Sequence, residues 1–384
     1  MNGTSKIEIS EKALNANYTF IRRLLGKKQT ILSSVVKGNA YGHGIEIFVP
    51  LAERCGVNHF SVFSDDEAYR VYHSSKKNSG IMIMGQIAPS NFDWVIAHDV
   101  SFFCFSKERL EKAISIAKQL NKKAKIHIEV ETGLNRTGFS ISELPGILEI
   151  VKAHLEHLEV VGLCSHLAGA ESIGNYLRIK KQRQNFKKAD QLLIENGFKG
   201  YLKHLACSAA LVRYPDTRYD LVRVGIMQYG FWPSPEIFIE YCGAKSLKTS
   251  PLKRVISWKT QIMDIKNVKT GEYIGYGNSF MAHKNMRIAT LPVGYSHGFF
   301  RSLSNKGRVL VHGERVPVIG TVNMNGTTID ISDISKAQAG DEAVLIGYQN
   351  DQEITVASFG EFSNQLNYEL LTRLPEHLPR HIVN

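Results

Sequence analysis

Eight short apolar, β-branched runs, spread over the chain up to about residue 230, limit what this protein can fold into more than any other feature. They are Ile31–Val36, Phe60–Phe63, Ile81–Met84, Phe102–Phe105, Ile126–Val130, Val160–Ser165, Tyr201–Ala206 and Leu221–Ile226. Longer helix-like stretches lie between them, among them Glu108–Leu120, Ile141–His154 and Leu177–Glu195. Strands alternating with helices predict an α/β fold, and a count of eight predicts a (β/α)8 barrel of the TIM type. A doubly wound open sheet needs fewer strands.

The pattern changes after Tyr229. Prolines cluster at Pro233, Pro235 and Pro251, and alternating strand-like runs follow at Val255–Ile262, Met286–Pro292, Arg308–Val311, Val316–Val322 and Glu342–Ile346. The next helix-like stretch is Val356–Leu366. This predicts a barrel over residues 1–240 and a mostly β domain over residues 241–384. Lys6–Ile9 also reads as a strand, free to pair with the second domain rather than with the barrel. A length of 384 residues suits one barrel-sized domain and a smaller one.

Composition excludes several function classes. No apolar run is long enough for a membrane span, and the first ten residues lack a signal-peptide pattern, so the cytoplasm is the expected compartment. Five scattered cysteines without a CxxC pair predict neither a disulfide framework nor a zinc site. The net charge of +11 is spread along the chain. Lys180-Lys181 and Lys187-Lys188 sit in a helical stretch and read as a solvated face, with no nucleic-acid motif beside them.

In a barrel, the site forms where strands end and βα loops begin. Lys37 directly follows the first strand, in Val35-Val36-Lys37-Gly38-Asn39-Ala40-Tyr41-Gly42-His43-Gly44. Its position leaves two readings open. One is a snorkelling lysine before a glycine turn. The other is an amine neutralised by forming an imine with an aldehyde cofactor. Further along, Glu131 to Arg136 follow the fifth strand, His166 ends the sixth, Ser208 follows the seventh, and Arg223 to Ile226 lie at the end of the eighth. Taken singly, each has a plain reading: a loop arginine, a core histidine, a half-buried tyrosine.

Taken together and in order, these segments resemble the bacterial alanine racemases. The resemblance runs through nearly the whole chain and implies a barrel that binds pyridoxal 5'-phosphate (PLP), followed by a β domain. It implies that Lys37 carries PLP. In Glu129-Val130-Glu131-Thr132-Gly133-Leu134-Asn135-Arg136, it places Arg136 near the substrate carboxylate. It puts His166 beside the cofactor ring, and Ser208 with the backbone N–H groups of Gly225 and Ile226 on the phosphate. Tyr41 and Tyr368 are the remaining phosphate ligands. Arg223 contacts the pyridine nitrogen, where a group that stays charged keeps that nitrogen unprotonated and weakens the ring as an electron sink.

Tyr273-Ile274-Gly275-Tyr276-Gly277-Asn278 resembles the family's catalytic-tyrosine segment, which makes Tyr276 the second base. A phenol titrates near about 10, so it needs a cationic neighbour to act at neutral pH. The resemblance implies that Lys37 takes the α-proton of the D-enantiomer and Tyr276 that of the L-enantiomer. It also implies a homodimer in which Tyr276 reaches the other subunit's site. Tyr295 and Met324 line the substrate entrance. The chain departs from the family pattern at Glu129, which stands where a carbamate-modified lysine is common, and at Cys207, which stands for asparagine. Further departures are Gly169, Ser296-His297, Thr321 and Asn325, around the entrance. An anionic Glu129 could replace the carbamate directly.

Alanine is the expected substrate. A racemase acting on serine, lysine or arginine is the alternative within the class, since the entrance is altered in charge and size. A non-catalytic PLP carrier has no need of Tyr276. A PLP decarboxylase on a related barrel would carry a cysteine-bearing C-terminal signature that this chain lacks.

Overall fold

The computed structural model describes residues 4–26, 29–358 and 367–384, and the side chain of Asn367 is outside that set. The chain forms two compact units. One comprises Ala13–Lys37 and Phe48–Lys253; the other comprises Gly38–Ile47, Arg254–Asn384 and the N-terminal segment through Lys12.

The first unit is the eight-stranded parallel barrel. Its strands are Ile31–Val35, His59–Val62, Gly80–Ile83, Ser101–Cys104, Ala124–Glu129, Leu158–Cys164, Leu202–His204 and Leu221–Val224. From the first to the seventh, each pairs with the next in parallel, and the eighth pairs back on the first through Ile31–Leu221 to Ser34–Val224. The seam between the seventh and eighth strands is the thinnest, because the seventh has only three residues. Asp220 N–H donates to Lys203 O at 3.0 Å and Arg223 N–H to Ala206 O at 3.0 Å, and a Cys207–Arg223 bridge completes the closure.

These strands are apolar because both faces are covered. Ser101–Cys104 and Leu221–Val224 are buried at every position. Burying one such leucine or valine side chain is worth roughly 1.5–3 kcal/mol. The helices supply the outer cover with one face each. In Tyr176–Glu195, Ile179, Phe186, Ala189 and Leu193 are buried at helical spacing. Helix Lys107–Leu120 starts at Ser106, whose hydroxyl accepts from Arg109 N–H, and stops at Asn121 in a left-handed conformation.

The second unit is a ten-stranded sheet. From one edge its strands run Asp264–Val268, Met286–Leu291, Thr327–Asp330, Glu314–Ile319, Arg308–Val311, Glu342–Gln349, Ile256–Gln261, Lys6–Ser10 and Arg380–Val383. Gln352–Ile354 folds back on Glu342–Gln349 as a hairpin. Among the described residues, all pairings in this sheet are antiparallel except Lys6–Ser10 with Arg380–Val383. Lys6–Ser10 therefore belongs to this sheet. Trp258 and Phe299 are fully buried here with ring centroids 6.2 Å apart. The helix expected over Val356–Leu366 falls largely on residues 359–366, outside the described set. Among the described residues, no helix is long and apolar enough to cross a membrane.

Candidate active site

In the barrel unit, the expected site residues gather at the C-terminal ends of the strands. Lys37 follows the first strand, whose end is fastened by Val36 N–H donating to Ser61 O at 2.9 Å. Lys37 is open to solvent, yet the protein packed around its amine partly desolvates the ammonium and holds it below the usual lysine range. Arg136 and Arg223 push the same way, and Glu67 opposes them. The neutral amine is the nucleophilic form.

Arg136 sits in a loop built on Glu131. The Glu131 carboxylate accepts from the N–H groups of Gly133, Asn135 and Arg136, the last two at 2.8 and 3.3 Å. Phe139 N–H to Glu129 O and Glu131 N–H to Phe139 O, both 2.9 Å, close the loop. Arg136 itself is exposed, while Glu129 is 3% exposed. Burial raises the Glu129 carboxyl above the usual range, and a hydrogen bond from Thr137 with the charges of Arg223 and Arg136 offsets part of this.

His166 is neutral: burial pushes its pKa down to about 3, helped by Arg223, Arg136 and Lys37. These four groups and Glu129 thus share one electrostatic neighbourhood. Arg223 is 4% exposed and anchored by its own donors, with Nη2 2.6 Å from Ser165 O and Nη1 3.0 Å from His204 O. Ser208 and Gly225 meet directly, Gly225 N–H donating to Ser208 Oγ at 3.0 Å, and both Ser208 and Ile226 are buried. A buried hydroxyl beside a backbone N–H is part of a cradle of the kind that takes an anion.

The remaining candidates lie in the second unit. Tyr41 and Tyr368 approach each other with ring centroids 6.0 Å apart. Tyr276 is 76% exposed, and Tyr295 and Met324 are exposed as well. The three segments are neighbours. Thr321 Oγ1 donates to Tyr276 O at 3.5 Å, Tyr295 N–H to Asn323 O at 2.9 Å, and Ser296 Oγ lies 2.8 Å from Met324 O. Ser296 Oγ also contacts Asn325 Oδ1 at 2.5 Å and His297 Nδ1 at 3.2 Å. Three of the residues that depart from the family pattern, Ser296, His297 and Asn325, are therefore bonded together through Ser296.

Sequence reading missed Gln182. It is fully buried in helix Tyr176–Glu195 and ties two site loops together. Its Nε2 donates to His166 O at 2.9 Å and Thr132 Oγ1 at 3.2 Å, and its Oε1 accepts from Ala168 N–H at 2.8 Å. The available signal was one amide on an otherwise apolar helical stripe. His127 and His204 were also missed, both buried inside the barrel.

Comparison with known proteins agrees with this arrangement. The family described as alanine racemase, N-terminal domain, matches residues 9–233, and alanine racemase, C-terminal domain, matches residues 255–382. An alanine racemase of Leptospira interrogans is 31% identical over 384 residues, covering 99% of this chain and 96% of its own. One from Methylacidiphilum infernorum is 34% identical, covering 98% and 92%. Among solved structures, alanine racemase from Bacillus anthracis with bound L-Ala-P superposes with TM-score 0.90 at 29% identity, covering 100% of this chain and 96% of its own. Alanine racemase from Bartonella henselae with covalently bound pyridoxal phosphate superposes with TM-score 0.84 at 27% identity, covering 99% and 100%. With both domain families matched in order and these relatives covered almost end to end, the chain belongs to the alanine racemase family.

Proposed function

We propose that the protein is a PLP-dependent alanine racemase acting in the cytoplasm as a homodimer, with Lys37 and Tyr276 as its two bases. The observation that carries the proposal is Lys37 at the C-terminal face of the barrel, open to solvent and yet held below its usual pKa by partial desolvation and the charges of Arg136 and Arg223. The residues fit PLP. Lys37 offers an amine to the aldehyde, Ser208 with the Gly225 and Ile226 N–H groups offers donors to the phosphate, and Arg223 offers a fixed cation to the pyridine nitrogen. Bound PLP would supply electron withdrawal that acidifies the substrate α-proton.

The chain's own residues do the rest. Arg136 holds the substrate carboxylate through its fork of donors. Lys37 Nζ moves the proton on one face and Tyr276 Oη the proton on the other, and microscopic reversibility assigns the same pair to both directions. Arg223 stays charged, and a fixed cation there would keep a pyridine nitrogen unprotonated and temper the cofactor's electron withdrawal. Neutral His166 adds no further positive charge beside Lys37. The exposure of Tyr276 supports a role across a subunit boundary, and the five free cysteines suit a reducing compartment.

Alanine is the proposed substrate. The bonded cluster of Ser296, His297 and Asn325 favours one second reading, a site that also accepts larger side chains. A chirally resolved assay with PLP on alanine, serine, lysine and arginine tests both. Alanine should turn over fastest. No racemisation of any of the four would overturn the proposal, and faster turnover of another would move the substrate.

A further inference from the structure

A line of polar side chains crosses the barrel interior behind Arg223. A guanidinium has donors and no acceptor. Arg223 Nη1 lies 2.5 Å from His204 Nδ1, so that nitrogen accepts and the His204 proton is on Nε2. His204 Nε2 lies 2.9 Å from His127 Nδ1 and must donate to it. The His127 proton is therefore also on Nε2, which donates to Ser101 Oγ at 3.1 Å. Ser101 Oγ in turn donates to Ile81 O at 3.1 Å. Every bond runs in one direction, from the eighth strand through the seventh, fifth and fourth to the third. Protonating either imidazole would set two donors face to face.

The fold makes room for this line. Gly162 lies in the middle of the sixth strand, between the strands of His127 and His204. Its φ is outside the left-handed region, so the backbone does not require glycine. A Cβ there would lie 2.1 Å from His127 Nδ1, the atom that accepts from His204. The pairing register also shifts between Ile126 and His127, a bulge of the kind that re-aims a side chain.

Resting on the PLP reading above, we propose that His204 and His127 are positioning residues: a one-way relay that fixes the orientation of Arg223 and leaves it the sole cation on that side of the cofactor ring. Burial, then Arg223, holds His204 far below the usual histidine range. Burial pushes His127 down to about 3, with His59 and Arg223 adding to it. His59 faces the pair as well, and its Nδ1 is 2.8 Å from Ser33 Oγ. A satisfied buried network of this kind orders its members as a unit.

The test uses histidine ¹⁵N spectra of the full-length protein, with and without PLP, together with kinetics of His127→Phe, His127→Asn and Gly162→Ala. Both imidazoles should show the neutral Nε2–H tautomer from about pH 6 to about pH 9. His127→Phe should lower kcat for alanine about tenfold with KM within about twofold, because it removes an interaction behind the reacting centre and not a substrate contact. His127→Asn, which keeps an acceptor near the Nδ1 position, should recover part of kcat. Gly162→Ala should displace the His127 signals. The relay is wrong if either imidazole carries its proton on Nδ1 or titrates in that range, or if His127→Phe keeps kcat within about twofold. The tautomers are read in the PLP-free protein as well. Failure to racemise alanine would therefore sink the functional reading and leave the relay to be judged by its spectra.

Discussion

Glu129 sets the electrostatic tone at the residue scale. Its carboxylate is coupled to Arg136, Arg223 and Arg109, and its Oε2 has no hydrogen-bond partner among the described residues. A buried charge without full hydrogen bonding is costly to the fold and persists where it orders other groups. Glu129→Gln separates the two effects. Burial raises the folded pKa above the unfolded value, so the folded state binds that proton more tightly. The stability linked to it is present in acid and lost as pH rises through the raised value. Glutamine does not titrate. The melting temperature of the variant, relative to the parent, should therefore climb from acid to neutral pH. Activity should fall, with KM for alanine up about tenfold as Arg136 loses its counter-charge. Unchanged kinetics would remove Glu129 from any role in holding Arg136.

At the scale of elements, the turn after Lys37 carries the most strain. Gly38, Asn39, Ala40 and Tyr41 are four consecutive residues with φ between 52° and 62°. A left-handed conformation costs a non-glycine residue about 1–2 kcal/mol. The turn is held by Gly42 N–H to Gly38 O and Gly44 N–H to Asn39 O, both 3.0 Å, and by Asn39 Oδ1 accepting from Ile45 N–H at 3.0 Å. Arg380 Nη2 donates to Gly42 O at 2.9 Å. Gly42 has no room for a side chain, since a Cβ would lie 1.8 Å from Leu371 O. Gly197 also has positive φ but faces open space. Gly197→Ala should cost about 1 kcal/mol and Gly42→Ala about 3 kcal/mol or more, read by denaturant unfolding. Equal losses would show that the Gly42 clash relaxes freely.

This scale also shows what the sequence made legible. The eight barrel runs could be read because strands covered on both faces leave an unbroken apolar signal, and each observed strand overlaps its run. The polar residues at strand ends followed from barrel geometry. Gln182, His127 and His204 did not, because each sits at a buried position where pattern alone anticipates an apolar side chain. The grouping of Gly38–Ile47 with the C-terminal sheet was not legible either. It depends on partners such as Leu371 and Arg380, more than three hundred residues away, and no local periodicity reports them.

For the whole molecule, the two units carry different halves of the proposed chemistry. Lys37, Arg136, His166, Ser208 and Arg223 belong to the barrel unit, and Tyr276, Tyr295 and Met324 to the sheet unit. The proposal that Tyr276 serves the other subunit's Lys37 makes dimerisation a condition of activity. The measurement that tests this most directly is co-expression of Lys37→Ala and Tyr276→Phe chains under separate tags, followed by a chiral assay on the purified mixed dimer. Each variant alone should be nearly inactive, while the Tyr276→Phe protein keeps the visible absorbance of bound PLP. The mixed dimer should regain about half of the parent's activity, since one of its two sites is then intact. An inactive mixed dimer, or a Tyr276→Phe protein that racemises alanine at the parent rate, would contradict the account.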